Sequence, residues 1–275
     1  MKKILFALSA LAVMFAVGCS KEDIDIPSPE YQLVVNMNKP SFGDDTRAER
    51  TSWKDGDVVY VVFNGDVYNG VTKRKYLKLT YNDSSWTPEW VGTTAAEVAA
   101  KETKTLLAGY MSKPATNIYA SGRLYISGEG TLGICCMTCN DGTYTVEGST
   151  ITLNMTLKPE VAQITIKNLK VDDGWELKCD MLISTYEIQI ASTKAITGNY
   201  GANGPLLGFD NTDGVSFYGT PTDGTLNNYT FILYNDSKTY TRTFTGKSLK
   251  KGDAVIMNGP TVDDLNGWTD VTTVP

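Results

Sequence analysis

Histidine is missing from all 275 residues of this chain. That removes the commonest general base and the commonest metal ligand, so most hydrolase and metalloenzyme schemes lose a needed part. Positive charge is scarce: 25 Lys+Arg stand against 31 Asp+Glu, a formal net charge of -6. Nucleic acid and anionic membrane surfaces call for basic patches, and partners of that kind are excluded on this balance. There is no phosphate loop, nucleophile elbow or paired-cysteine zinc signature. No cofactor, metal or catalytic residue is expected.

Long apolar runs are also lacking. Residues 4–17 form a largely apolar stretch of 14, short of the roughly 20 residues a spanning helix needs. Lys2 and Lys3 precede the stretch and Gly18-Cys19 ends it, the layout of a secretory leader. Ala16-Val17-Gly18-Cys19 matches a bacterial lipobox, with Ala16 where a larger aliphatic residue is usual. Residues 1–18 therefore read as a signal peptide and Cys19 as the lipidated first residue of the mature chain. Each buried acyl methylene contributes about 0.8 kcal/mol, so two or three chains give a stable anchor. Loss of Lys2 and Lys3 lowers Lys+Arg from 25 to 23 against 31 Asp+Glu, which moves the net charge from -6 to -8. Residues 19–30, acidic and carrying Pro27 and Pro29, read as a lipidated tether. The lysine and acids after Cys19 resemble a lipoprotein export signal. The expected location is the outer membrane, lipid-anchored and exposed at the cell surface.

Beyond the tether the pattern is of short strands. Leu33, Val35 and Met37 alternate with Gln32, Val34 and Asn36, the period of a half-buried strand. Residues 57–63 are a β-branched and aromatic run ended by Asn64-Gly65-Asp66. Residues 76–81 alternate and stop at a turn over 82–85. Further strands are expected at 123–126, 144–147, 151–157, 161–166, 177–183 and 254–257. Residues 229–234 and 239–244, joined by Asn235-Asp236-Ser237-Lys238, read as a hairpin. One helix is expected, opened by the capping box Thr94-Ala95-Ala96-Glu97 and running to about Lys101. Many short strands with regular turns indicate an all-β sandwich or barrel class. A boundary is drawn at Leu157-Lys158-Pro159, where Pro interrupts strand pairing.

Four phrases in order carry a family resemblance. Thr51-x-Trp53-x-x-Gly56-Asp57 leads into a β-run, with Thr46-Arg47-Ala48 just before it. Tyr76-Leu77-x-Leu79-x-Tyr81 leads to Trp86. Residues 157–164 open the second half, and Leu249-x-x-Gly252-Asp253 with Trp268 closes it. Together they resemble the fimbrillin family of lipidated pilus and surface subunits. The resemblance implies two tandem transthyretin-like β-sandwich domains, at residues 31–157 and 158–275. It also implies cleavage by an arginine-specific protease after Arg47 or Arg50. Cleavage would release the strand bearing Leu33, Val35 and Met37, and a strand from another subunit would replace it. The implied partners are other pilus subunits or host and bacterial surface ligands. Residues 261–275 place Val262, Leu265, Trp268, Val271 and Val274 three apart, a poor strand pattern, which favours a tip, accessory or stand-alone role over a donating shaft subunit.

Other clusters admit more than one reading. Cys135, Cys136 and Cys139 read as buried thiols, as half of a disulfide with Cys179, or as a metal or redox group. Asp172-Asp173 and Asp263-Asp264 could pair as acid and nucleophile, but both sit in turn-like settings. The same holds for the calcium-like Asp210-Asn211-Thr212-Asp213-Gly214. Trp86 and Trp90, in a loop-like stretch at 84–92, could stack on sugar rings. They carry the alternative function, a non-polymerising glycan-binding lipoprotein of the outer membrane.

Overall fold

A computed structural model describes residues 30–40, 53–64, 75–112, 117–120, 124–129, 135–167, 169–179, 185–189, 197–199, 206–211, 215–219, 229–244, 248–258 and 269–270. They form β1 (Gln32–Asn38), β2 (Val58–Phe63), β3 (Tyr76–Asn82), β4 (Ser85–Val91), α1 (Ala95–Ala99), β5 (Thr105–Met111), β6 (Asn117–Ala120), β7 (Leu124–Glu129), β8 (Cys136–Glu147) and β9 (Thr150–Thr156). Then come β10 (Lys158–Pro159), β11 (Ala162–Lys167), β12 (Leu169–Cys179), β13 (Thr185–Gln189), β14 (Thr197–Asn199), β15 (Leu206–Asn211), β16 (Val215–Gly219), β17 (Tyr229–Tyr234), β18 (Thr239–Phe244), β19 (Ala254–Asn258) and β20 (Thr269–Asp270). The all-β expectation holds.

The largest sheet runs β1-β9-β8-β5-β2-β3-β4, with β10 added to β8. Within it β2 lies between β5 and β3, and its Val58, Val59, Tyr60, Val61, Val62 and Phe63 are all buried. Six consecutive buried residues mean that both faces of this strand are covered, which suits its continuous β-branched and aromatic run. The three smaller sheets are β16-β11-β19, β15-β12-β17-β18-β20 and β14-β13-β7-β6. The last of these joins β7 to β13 in antiparallel register, Tyr125 opposite Gln189. Strands from both sides of the expected boundary at Leu157 therefore share one sheet, and β10 pairs back onto β8.

Local chemistry explains the joints. The β3–β4 hairpin turns through Asp83 and Ser84, both at positive φ (49° and 63°). A two-residue hairpin needs that backbone to match the twist of its strands. The Asp83 amide donates to Asp55 Oδ1 at 3.2 Å, which ties this turn to the preceding one. In α1 the expected capping box forms: Glu97 N donates to Thr94 Oγ1 at 3.2 Å and Thr94 N to Glu97 Oε2 at 3.3 Å. A hydrogen bond from Thr93 and that amide hold the Glu97 carboxyl below its ordinary range. The helix ends at Ala99, two residues short of Lys101. Lys104 donates to the carbonyls of Ala99 and Lys101 there, capping the last turn.

Two sequence expectations need correction. Trp86 and Trp90 are not in a loop but in β4, paired with Tyr81 and Leu77 of β3. Asp172 and Asp173 lie inside β12, where the register against β15 slips between Val171 and Glu176, so an irregular strand replaces the expected turn. Residues 177–179 of the strand expected at 177–183 belong to β12, and residues 180–183 lie outside the described residues.

Candidate functional site

Edge strand β1 is a parallel partner of β9, with Leu33 opposite Ile151, Val35 opposite Leu153 and Met37 opposite Met155. Its exposure alternates along the strand, and Leu33, Val35 and Met37 are half-buried against the core. The outward Asn36 donates to Asn154 Oδ1 at 3.0 Å across a sequence gap of 118 residues. Both ends are tied: Gln32 N donates to Ser149 O at 2.8 Å, and Leu157 N to Asn38 O at 3.0 Å. An open cleft of about 590 Å³ straddles this seam, lined by Asn36, Met37, Asn38, Asp141, Asn154 and Met155 among others.

One residue beyond the strand, the alternation continues inward with a charge. Lys39 is only 8 % exposed. Its Nζ donates to Asp57 Oδ2 and to Tyr110 Oη, each at 3.1 Å. The same ammonium lies 4.6 Å from the Trp53 ring centroid and 4.4 Å from that of Tyr110. A buried ammonium needs its charge matched, and here Asp57 supplies the counter-charge while two of the three protons find oxygen acceptors beside two aromatic rings. The Tyr110 hydroxyl donates to Asp57 Oδ1 at 2.9 Å. Burial first, then the charges of Cys135 and Asp57, drive the Tyr110 phenol far above its usual value. Trp53 is held edge-on by Tyr110 and Trp86, with centroids at 5.5 and 4.7 Å, and tilted on Tyr81 at 6.3 Å.

This cluster gives the Trp53-x-x-Gly56-Asp57 phrase a physical meaning. Gly56 turns at φ +87°, and Lys54 N donates to Asp57 Oδ2 at 3.0 Å, which closes the turn. Gly56 N donates to Tyr81 O and Tyr81 N to Asp57 O, both at 2.9 Å, which starts the β2–β3 pairing. The Leu249-x-x-Gly252-Asp253 phrase is built alike. Gly252 has φ +87°, Lys250 N donates to Asp253 Oδ2 at 2.7 Å, and Gly252 N donates to Val161 O at 2.9 Å. Only the first turn adds Trp53 and a buried cation. Lys39 escaped the sequence reading, although a lysine continuing the inward set 33, 35, 37 was a usable signal.

The remaining candidates are placed as follows. Cys135, Cys136 and Cys139 are buried, and none of the three is in a disulfide. Burial pushes the Cys136 thiol well up and the Cys139 thiol up, which makes both poor nucleophiles. Trp86 and Trp90 are half-buried; Trp90 stacks on Phe63 at 5.9 Å and 22°. Cys19, Arg47, Arg50, Asp263 and Asp264 lie outside the described residues, as do residues 212–214 of the calcium-like stretch. Among the described residues no group of three or more His, Cys, Asp or Glu is placed to hold a metal ion.

No protein-family model and no curated protein matches the chain. Solved structures do. A candidate cell-adhesion protein from Bacteroides uniformis is similar at 9 % identity and a TM-score of 0.51, over 88 % of this chain and 97 % of that one. A fimbrial protein from Bacteroides ovatus is similar at 13 % identity and a TM-score of 0.45, over 84 % of this chain; this chain spans only 49 % of it. A fimbrial assembly protein from Parabacteroides distasonis is similar at 14 % identity and a TM-score of 0.40, over 87 % and 94 %. The fold of this chain is that of the Bacteroides uniformis protein.

Proposed function

We propose that this chain is a fimbrillin-like surface lipoprotein, an accessory or tip subunit of a pilus or an adhesin, that joins its neighbours by strand replacement and catalyses nothing. Cys19 would carry the lipid anchor in the outer membrane. Cleavage after Arg47 or Arg50 would cut β1 from the body, since both arginines lie in sequence between Asn38 and Val58. The two-sandwich division at residues 157 and 158 belongs to the same proposal, with the β7–β13 pairing as the link between units.

A single observation supports the reading most: β1 is an edge strand whose pairing partner, β9, is distant in sequence. Removing β1 would uncover a row of unpaired groups on β9 and the apolar seats of Leu33, Val35 and Met37. Such an edge pairs with whatever strand fits it. Nothing observed at Trp86 or Trp90 favours the glycan-binding alternative, because Trp86 packs on Trp53 and Tyr81 and Trp90 on Phe63.

The test is to treat the mature protein with an arginine-specific protease and follow its size by chromatography. Cleavage after Arg47 or Arg50 followed by oligomers, or by capture of an added β1-like strand, is the expected result. A cut protein that keeps its segment indefinitely and takes up no strand would count against strand replacement.

A further inference from the structure

Resting on that strand-replacement reading, we propose that the seat of Lys39 is a cation receptor that selects the incoming strand. Cleavage after Arg47 or Arg50 sends Lys39 away with β1, while Asp57, Tyr110 and Trp53 stay with the body. The vacated groove then holds more than apolar seats. At its far end stands a buried carboxylate that has lost its counter-charge, beside two aromatic rings placed 4.4 and 4.6 Å from where the ammonium had been.

The spacing defines the partner. Inward positions in β1 fall at 33, 35 and 37, and position 39 extends the same period. A replacement strand in the same parallel register needs three alternating apolar residues and then a lysine two positions after the last. Lysine fits better than arginine, because a compact ammonium can meet Asp57 Oδ2 and Tyr110 Oη at 3.1 Å between two rings. A neutral residue leaves the Asp57 carboxylate buried without a countercharge, the costly outcome for any buried pair. Residues 261–275 of this chain contain Asp263, Asp264 and Asp270 but no Lys or Arg. That segment is therefore not the selected strand, and the occupant is a lysine-bearing strand of another subunit, for which β1 of a second copy is the simplest stand-in.

The experiment follows the exchange of labelled ten-residue peptides into the arginine-cleaved mature protein by fluorescence anisotropy. One peptide carries the sequence of residues 31–40; two others carry Lys39→Arg and Lys39→Gln. The Lys39→Gln peptide should bind at least about tenfold more weakly than the native one, with Lys39→Arg between them. On a body carrying Asp57→Asn that gap should shrink to about twofold or less; should that variant not fold, Tyr110→Phe, which removes the second acceptor but keeps the carboxylate, should narrow the gap without abolishing it. Equal binding of the native and Lys39→Gln peptides overturns the cation receptor and leaves strand replacement standing. Failure of every peptide to enter overturns strand replacement, and the receptor falls with it.

Discussion

The two edges of the eight-stranded sheet are built on opposite plans. Strand β4 follows β3 through a two-residue turn, so its pairing closes a minimal loop. It carries Pro88, which has no amide proton to offer a newcomer, and Glu89, which meets Lys78 at 2.8 Å. Its Trp86 and Trp90 reach back into the core. Strand β1 has no proline within it, pairs with a strand more than a hundred residues away, and is held by three half-buried side chains and Lys39. One edge is closed to strangers by local chemistry. The other is held by contacts that a second strand of like pattern could reproduce.

Substitutions can break or sharpen this contrast. The largest effect is expected at Asp57: Asp57→Asn leaves Lys39 buried without its counter-ion and should cost about 3–5 kcal/mol in denaturant unfolding. The same change at Asp253, whose carboxylate caps the exposed Lys250 amide, should cost only about 0.5–1.5 kcal/mol. Equal losses at the two turns would mean that Lys39 contributes nothing beyond the cap. Next in size, Trp90→Ala strips the contact with Phe63 and should cost about 2–3 kcal/mol. On the opposite edge, Val35→Ala should cost about 1 kcal/mol. A reversed order would show β1 to be the more firmly held edge.

Smaller still, Lys78→Gln should change stability by less than about 1 kcal/mol, because that ion pair is well exposed. Pro88→Thr should leave stability within about 0.5 kcal/mol while raising self-association, read by light scattering at increasing concentration. Unchanged scattering would show that Pro88 is not what guards the β4 edge.

Strands with a clean period were legible in the sequence. Residues 31–37, 57–63, 76–81, 229–234, 239–244 and 254–257 correspond to β1, β2, β3, β17, β18 and β19, and the capping box of α1 formed as written. Strand β4 was hidden by Pro88 and its polar neighbours, which mimic a loop. In β5, Leu106, Ala108, Gly109, Tyr110 and Met111 include neighbours buried on both faces, so no alternation marks it. The first half of β8 was hidden by Cys139-Asn140-Asp141-Gly142, which reads as a turn but forms a bulge. There a Cβ on Gly142 would lie 2.3 Å from Leu106 Cδ1. At the candidate site the apolar trio was legible and the lysine was not. Composition makes an isolated lysine look solvated, and only its distant partners make it tolerable inside.

By itself the amino-acid order determined what near neighbours decide: strand periods, the two Gly-Asp turns and the helix cap, together with an acidic, histidine-free composition. These follow from backbone sterics and hydrogen bonds over a few residues, and they survive transfer between contexts. Tertiary structure alone decided that β1 pairs with β9 in parallel, that β4 is an edge, and that Lys39, Trp53, Asp57 and Tyr110 converge. Those outcomes bring Lys39 to Asp57, 18 positions away, and β1 to a strand over a hundred positions away. No local propensity encodes them, because the burial and charge matching that stabilise them exist only once the sheet is assembled.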